Sequence, residues 1–155
     1  MNFDQLESQV KAIFEEKLRN QTEKLQAICD LLHFEIPYYT WVGFYFADAA
    51  SKTWHLGPFA GMPTDHIAIP FGKGICGQVA VSNQNFIVPD VHAQDNYIAC
   101  SLTVKSEIVI PLFVKGQNIG QIDIDSDTIN AFTDKDEAFL VNINKLISDY
   151  LEQIK

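Results

Sequence analysis

The chain has 155 residues, 47% of them hydrophobic, and its 20 acidic residues against 11 basic ones give a formal net charge of −9. The length suits one domain with a sizeable core, which we place over residues 1–155. The acidic balance argues against nucleic acid or an anionic membrane surface as a partner, and no apolar run approaches the ~20 residues of a transmembrane helix.

Helices are predicted at the start of the chain. Apolar residues recur at three- and four-residue steps over residues 3–14, which is typical of an amphipathic helix. A second helix is predicted to open at Asn20, which forms a capping pair with Glu23, and to stop at Pro37.

The middle of the chain changes to the pattern of β-strands. Aromatic and β-branched residues predict strands over residues 39–46, 53–56, 67–71 and 86–88. We expect Gly57-Pro58 to break the second of them. A short helix is predicted over residues 78–81, after the glycine-rich run 72–77.

The last third predicts a long loop, a hairpin and a helix. Residues 89–103 form a polar loop of a length that is uncommon and often functional. Strands 107–114 and 119–125 are predicted to pair as an antiparallel hairpin around the loop 115–118. Thr133 and Asp136 are expected to cap the final helix. The order helices, strands, helix predicts an α+β fold, with a mainly antiparallel sheet flanked by N- and C-terminal helices.

The cysteines indicate the compartment. Cys29, Cys76 and Cys100 are an odd number, and the N-terminus has neither the basic region nor the apolar segment of a secretory signal. The sequence therefore predicts a cytoplasmic protein without structural disulfides, whose cysteine chemistry is redox or nucleophilic. Cys29 lies on an apolar helix stripe, and a buried structural cysteine is also an alternative for Cys100 in the long loop.

Gly72, Gly74 and Gly77 match the spacing G-x-G-x-x-G. A dinucleotide site would also need a βαβ unit, and the hairpin downstream argues against one. The simpler interpretation is a tight turn that feeds a short helix. Cys76 would then lie near the N-terminus of that helix, where we expect the helix dipole to raise its thiolate fraction.

Two carboxylates share one face of a predicted strand. Asp123 and Asp125 alternate with isoleucines, so they either form a solvated face or bind a cation and transfer protons. Glu107 opens the neighbouring strand, but a simple four-residue hairpin places it opposite Ser126, on the other face from Asp123, unless a bulge shifts the register.

The aromatic and histidine residues give weaker signals. An aromatic cluster that is either core or a wall for an apolar or cationic group is predicted from Trp41, Phe44, Tyr45 and Trp54. The four histidines lack zinc-ligand spacing, so no metal site is expected, nor any cofactor. The sequence has no motif of a serine hydrolase or a P-loop enzyme.

Seven segments in order resemble the free methionine-(R)-sulfoxide reductases, which are stand-alone GAF domains. They are Trp41-Val-Gly-Phe-Tyr45, Leu56-Gly-Pro-Phe-Ala-Gly61, Ile69-Pro-Phe-Gly-Lys-Gly-Ile-Cys-Gly77, Val88-Pro-Asp-Val-His92, Tyr97-Ile-Ala-Cys100, Ser106-Glu-Ile-Val109 and Ile122-Asp-Ile-Asp-Ser126. The resemblance implies a six-stranded antiparallel sheet with a ligand pocket under the long loop.

The resemblance also implies roles for single residues. Cys100 matches the catalytic cysteine, and Cys76 matches a second family cysteine. The substrate-binding acids match Glu107, Asp123 and Asp125, and the pocket wall matches Trp41 and Tyr45. The implied activity is the reduction of free methionine-(R)-sulfoxide through a sulfenic acid, recycled by thioredoxin or another thiol reductant, and the family also implies a homodimer.

One family feature is missing. Members usually carry a further cysteine about ten residues before Cys76, which resolves the oxidised catalytic cysteine, and His66 occupies that position here. Recycling then falls to Cys76 or to an external thiol. A non-catalytic GAF module that binds a small ligand is the alternative function, and a dimerisation or scaffold domain is a third.

Overall fold

The computed structural model describes residues 2–94 and 103–154. Its helices are α1 (Phe3–Glu15), α2 (Gln21–Glu35), α3 (Gly74–Ser82) and α4 (Asp134–Gln153), with a turn of 3₁₀ helix at Val91–Ala93. Its strands are β1 (Trp41–Asp48), β2 (Thr53–Ala60), β3 (Ala68–Pro70), β4 (Phe86–Val88), β5 (Ser106–Val114) and β6 (Gln117–Ser126).

The six strands form one antiparallel sheet in the order β3-β2-β1-β6-β5-β4, so the predicted α+β fold is confirmed. Helices α2 and α4 pack on one face, where the alternate residues of the central strands form the main core, and α1 packs against both of these helices. Helix α3 packs on the other face with a second apolar cluster, which includes Trp41, Tyr45 and Trp54. The prediction that Phe44 joins these residues is wrong, because Phe44 points to the opposite face and lies in the main core. Both faces of the sheet are therefore covered.

The predicted helix caps are present. Asn20 and Glu23 form a reciprocal capping box at the start of α2, and Thr133 and Asp136 form one at the start of α4. Asp136 is buried and also accepts hydrogen bonds from the hydroxyls of Tyr38 and Tyr39, which ties α4 to the chain entering β1. Within the described part of the chain, no helix has both the length and the apolar character to cross a membrane.

The predicted four-residue loop of the β5–β6 hairpin is wrong. Val114 pairs with Gln117 across a two-residue turn, in which Lys115 and Gly116 both have positive φ, as a type I′ turn requires. The register then shifts between Leu112 and Phe113, leaving Ile119 as the extra residue of a bulge.

Gly57-Pro58 does not break β2, which continues to Ala60. The β2–β3 ladder covers only residues 53–55 and 68–70, and the Leu56 N–H still donates to the Ile67 carbonyl. After Leu56, β2 pairs with a strand on one side alone. The β1–β2 register also shifts between Gly43 and Tyr45, opposite the dipeptide. Proline is tolerated at such an edge or bulge, because no ladder hydrogen bond needs its missing N–H.

The glycine-rich run forms a tight turn that enters a helix, as predicted, although α3 begins four residues earlier than expected. The Gly72 N–H donates to the Gly77 carbonyl, with 2.7 Å between N and O. The flanking strands β3 and β4 lie at opposite edges of the sheet, so the run is not part of a βαβ unit. The connection from β3 to β4, which contains α3, therefore runs across the sheet face from one edge to the other, and this crossing positions the candidate site.

Candidate functional site

The three predicted acids meet on the sheet face that α3 covers. The bulge sets Glu107 directly opposite Asp125, and β1 on the other side of β6 sets Trp41 opposite Asp125 and Gly43 opposite Asp123. Directly paired residues of antiparallel strands project to the same side, with Cβ atoms about 4.5–5.5 Å apart. The register shift suggested by the sequence therefore unites Glu107 with both aspartates.

This face is not solvated. Glu107, Asp123 and Asp125 are 3%, 0% and 1% exposed, so the interpretation of the two aspartates as a water-facing surface is wrong. Three neighbouring carboxylates away from water carry a large electrostatic penalty unless protons or a cation compensate their charge. A protein that keeps such a group maintains a strong potential for binding positive charge.

Cys76 lies over these acids as the third residue of α3. Its Sγ is 3.2 Å from Asp123 Oδ2 and 3.7 Å from Glu107 Oε2. The indole Nε1 of Trp54 donates to the Cys76 carbonyl at 2.8 Å, which fixes this turn of the helix against β2. The helix, two strands and an aromatic anchor thus hold one thiol against two carboxyl groups.

The expectation of a raised thiolate fraction at Cys76 is wrong. Burial raises the pKa of the Cys76 thiol well above its usual value, and the nearby charges of Asp123 and Glu107 raise it further. These effects outweigh the favourable position at a helix N-terminus, because burial disfavours the charged thiolate and the neighbouring acids disfavour it further. Cys76 is therefore a protonated hydrogen-bond donor to Asp123.

Burial also raises the pKa of the Asp123 carboxyl, and hydrogen bonds with Glu107 and Cys76 offset part of that rise. A carboxyl group whose proton is held more tightly than usual can donate that proton nearer to neutral pH. Among the described residues, Asp123 Oδ1 is buried without a hydrogen-bond partner.

Trp41 forms an aromatic wall beside the acids. Its indole lies over Gly43, where any Cβ would come within 2.2 Å of the ring, so only glycine leaves room for it. The ring stacks on Phe59, with centroids 5.7 Å apart. The indole Nε1 donates to the Met62 carbonyl at 3.1 Å, which joins the wall to the β2–β3 loop.

Tyr45 lies deeper on the same face and is fully buried. Its hydroxyl donates to the His66 carbonyl, with 2.9 Å between the oxygens. Tyr45 and Trp41 therefore hold the two ends of the segment that follows β2. Tyr45 contributes to the support of the pocket in this structure, and its predicted contact with a ligand stays a prediction.

A pocket of about 160 Å³ opens next to Trp41 and Asp125. Its other lining residues among those described are Thr40, Met62, Pro63, Thr64, Thr103, Val104 and Asp127. Typical small-molecule pockets are larger, at roughly 300–1,000 Å³, so this one suits a ligand of amino-acid size. The pocket adjoins Thr103, where the described chain resumes after residue 94.

Cys100, the predicted nucleophile, lies outside the described residues. Cys29 is buried in the main core and contacts the Pro58 carbonyl at 3.5 Å, as its place on an apolar helix stripe predicts. Burial raises the pKa of the Cys29 thiol, and the negative charge of Asp30 raises it further by a smaller amount.

Sequence reasoning missed part of this site. The loop residues Met62, Pro63 and Thr64 line the pocket, and no local pattern marks them as ligand-facing. Gln121 is completely buried on β6, two residues before Asp123, with no hydrogen-bond partner for its amide among the described residues. The period-two alternation that marks Asp123 and Asp125 also places Gln121 on their face and is the signal that finds it.

Comparison with known proteins identifies relatives. A family model described as "GAF domain" matches residues 20–152. The free methionine-R-sulfoxide reductase of Escherichia coli (strain K12) is 44% identical over 107 residues, which are 69% of this chain and 63% of that protein.

Solved structures of similar proteins cover nearly the whole chain. A free methionine-R-sulfoxide reductase from Neisseria meningitidis, in complex with its substrate, has a TM-score of 0.91 and 32% identity, covering 97% of this chain and 88% of that chain. The reduced form of fRMsr from Staphylococcus aureus has a TM-score of 0.89 and 35% identity, covering 97% of this chain and 95% of that chain.

Proposed function

The chain belongs to the GAF domain family and, within it, to the free methionine-(R)-sulfoxide reductases, and from this membership we propose that it reduces free methionine-(R)-sulfoxide to methionine with Cys100 as the nucleophile. The observation that carries the proposal is the buried group of Glu107, Asp123 and Asp125 beside the pocket wall of Trp41. We also propose that residues 1–155 form one domain.

The buried acids can meet two requirements of this substrate, which are the binding of its ammonium group and the delivery of a proton to its sulfoxide oxygen. Free methionine sulfoxide carries an ammonium group, which buried carboxylates bind strongly because water does not screen them. Asp125 lines the pocket and is the acid that we assign to the ammonium, together with Glu107 opposite it. A methionine sulfoxide inside a peptide lacks this ammonium, so the site favours the free amino acid.

The sulfoxide oxygen also needs a proton. In the proposed step, the Cys100 thiolate attacks the sulfoxide sulfur while an acid protonates the oxygen. The oxygen passes to Cys100, which becomes a sulfenic acid, and the substrate leaves as the thioether methionine. We assign the proton to Asp123, since burial raises the pKa of its carboxyl.

The test is direct turnover. Protein, dithiothreitol and free methionine-(R)-sulfoxide are expected to yield methionine, measured by chromatography. The (S)-epimer and an N-acetylated methionine sulfoxide serve as matched control substrates, because each changes either the chirality at sulfur or the ammonium alone. Binding of the (R)-epimer without methionine formation under any thiol reductant would favour the non-catalytic GAF module, an alternative that His66 at the position of the usual cysteine keeps open.

We further propose that an external thiol such as thioredoxin restores Cys100. One thiol condenses with the sulfenic acid to give a mixed disulfide and water, and a second thiol releases Cys100 and leaves as the disulfide. The buried and protonated state of Cys76 supports this route over an internal one, because thiolate is the attacking species. The consumption of thiols suits a reducing compartment such as the cytoplasm, and the homodimer stays a prediction.

The recycling route predicts a specific intermediate. After one turnover without reductant, mass spectrometry is expected to find sulfenic acid on Cys100, trapped by dimedone, and no Cys76–Cys100 disulfide. Such a disulfide requires the two Cα atoms to come within about 7 Å. Its appearance as the main product of the single turnover would establish Cys76 as the resolving cysteine instead.

A further inference from the structure

We propose that Cys76, Glu107 and Asp123 form a binding site for Zn²⁺. The three side chains come from α3, β5 and β6, and all three are buried. One sulfur and one oxygen from each carboxyl group lie within 4.8 Å of one another. The inference goes beyond the proposed reaction, which involves no metal.

The spacing of the donor atoms matches the needs of zinc. With Zn–S of about 2.3 Å and Zn–O of about 2.0 Å, a tetrahedral site separates the sulfur from each oxygen by about 3.5 Å. In the structure, Cys76 Sγ is 3.2 Å from Asp123 Oδ2 and 3.7 Å from Glu107 Oε2. The two sulfur–oxygen distances bracket the required one, and the two carboxylate oxygens lie within 4.8 Å of each other, so the three donor atoms are already grouped closely enough to share one ion.

Two further observations point to a ligand at this place. Asp123 Oδ1 is completely buried and has no hydrogen-bond partner among the described residues, although it belongs to a carboxyl group of the cluster. A narrow fissure of about 10 Å³ reaches Cys76 and Glu107, and His66 lines it. Histidine is a common zinc ligand, but the ring of His66 is outside the group of donor atoms that lie within 4.8 Å of one another, so the three protein ligands are Cys76, Glu107 and Asp123.

The chemistry of the donors selects the metal. A thiolate with carboxylates suits Zn²⁺ or Cd²⁺, whereas Mg²⁺ and Ca²⁺ prefer oxygen ligands in larger number. Binding replaces the Cys76 S–H bond by a Zn–S bond and releases that proton to solvent, with no change of oxidation state. The metal's positive charge then compensates the carboxylates, as the substrate ammonium does in the proposed reaction.

This site departs from the expectation that the chain holds no metal. Local ligand spacing could not reveal it, because the ligands are 31 and 16 residues apart along the chain and meet only through the α3 crossing and the β5–β6 bulge. Because the metal uses two of the assigned acids, Zn²⁺ is expected to inhibit methionine formation, a consequence that rests on the proposed function.

The experiment is a metal titration of the reduced protein after treatment with EDTA. Cd²⁺ is expected to produce one equivalent of the ultraviolet thiolate-to-cadmium charge-transfer band, and Zn²⁺ to compete with a chromogenic chelator, while Mg²⁺ does neither. Cys76→Ser is expected to remove the band and to weaken Zn²⁺ binding at least about tenfold. Cys29→Ser is the matched control, since Cys29 lies in the core on the opposite sheet face, and Cys100→Ser tests the remaining thiol.

A band that survives in Cys76→Ser, or one that disappears only in Cys100→Ser, overturns the proposal. If Cys76→Ser does not fold, as judged by circular dichroism, Glu107→Gln and Asp123→Asn replace it, and unchanged Zn²⁺ affinity in both likewise overturns it. The titration requires no turnover, so failure of this inference and failure of the proposed reaction are distinguishable.

Discussion

Replacing Cys100 with serine is expected to lower methionine formation by more than about 1,000-fold, because loss of a covalent nucleophile removes the chemical step itself. The readout is methionine formed from free methionine-(R)-sulfoxide with dithiothreitol. Substrate binding by the variant, measured calorimetrically, is expected to stay close to that of the wild type, since serine differs from cysteine by one atom and the acids are unchanged.

The two described cysteines support this assignment by contrast. Cys29 and Cys76 are buried, and burial is the largest effect that raises the pKa of each thiol. Both are therefore protonated at neutral pH and are weak nucleophiles. Cys29→Ser is the matched control and is expected to retain activity in proportion to its folded fraction. Wild-type turnover by Cys100→Ser, or loss of turnover in Cys29→Ser at full folding, would contradict the assignment.

The sequence predicts most of the fold because its signals are local. The capping pairs Asn20–Glu23 and Thr133–Asp136 both form as expected, since each depends on residues three apart on one helix. The exact bounds of β4 follow from its short apolar run between Asn85 and Pro89. These features need no knowledge of how distant segments pack.

The errors arise where distant contacts decide the outcome. The two-residue turn at Lys115 and Gly116 alone would give a register that separates Glu107 from the aspartates, and the bulge at Ile119 restores it. A bulge has no fixed local sequence pattern, so the sequence alone can name a bulge at this position only as one of the possible registers. The protonation state of the Cys76 thiol likewise depends on carboxyl groups that lie 31 and 47 positions away along the chain.

The sequence predicts which residues belong to the candidate site, but it does not predict that these residues are buried. Alternation along β6 places Asp123 and Asp125 on one face, yet it cannot distinguish a solvated face from a covered one. Burial follows from the path of α3 across the sheet, which depends on β3 and β4 lying at opposite edges. The position of Cys100 lies outside the described residues, so its role stays a prediction from the family resemblance.

The second large effect concerns the buried acids. Asp125→Asn and Glu107→Gln are each expected to lower kcat/KM by roughly 30- to 700-fold, because removing one partner of a buried charge pair costs about 2–4 kcal/mol. Asp123→Asn is expected to lower kcat/KM by roughly 100-fold or more, because it removes the assigned proton donor. Steady-state kinetics with free methionine-(R)-sulfoxide measure the effect. The exposed Asp149 on α4 receives the same chemical change as a matched control, and Asp149→Asn is expected to behave as the wild type.

Stability is expected to move in the opposite direction from activity for Asp123→Asn. Because burial raises the pKa of Asp123 in the folded state, the folded protein still holds a proton that the unfolded chain has released. The contribution of this carboxyl to stability therefore falls as the pH rises above ~3.9, the ordinary pKa of an aspartate in an unfolded chain. Asparagine does not titrate. The variant is therefore expected to gain stability relative to the wild type between pH 4 and pH 7.

Urea unfolding at pH 4 and pH 7, with EDTA present to exclude metal, measures this difference in the free energy of unfolding. The trade of stability for activity is expected because the acids serve a positively charged ligand rather than the fold. If Asp123→Asn loses stability more at pH 7 than at pH 4, the carboxylate is stabilised by its surroundings and the assigned proton donor is wrong. Unchanged kinetics in all three variants would instead show that the acids have a structural role and do not act on the substrate.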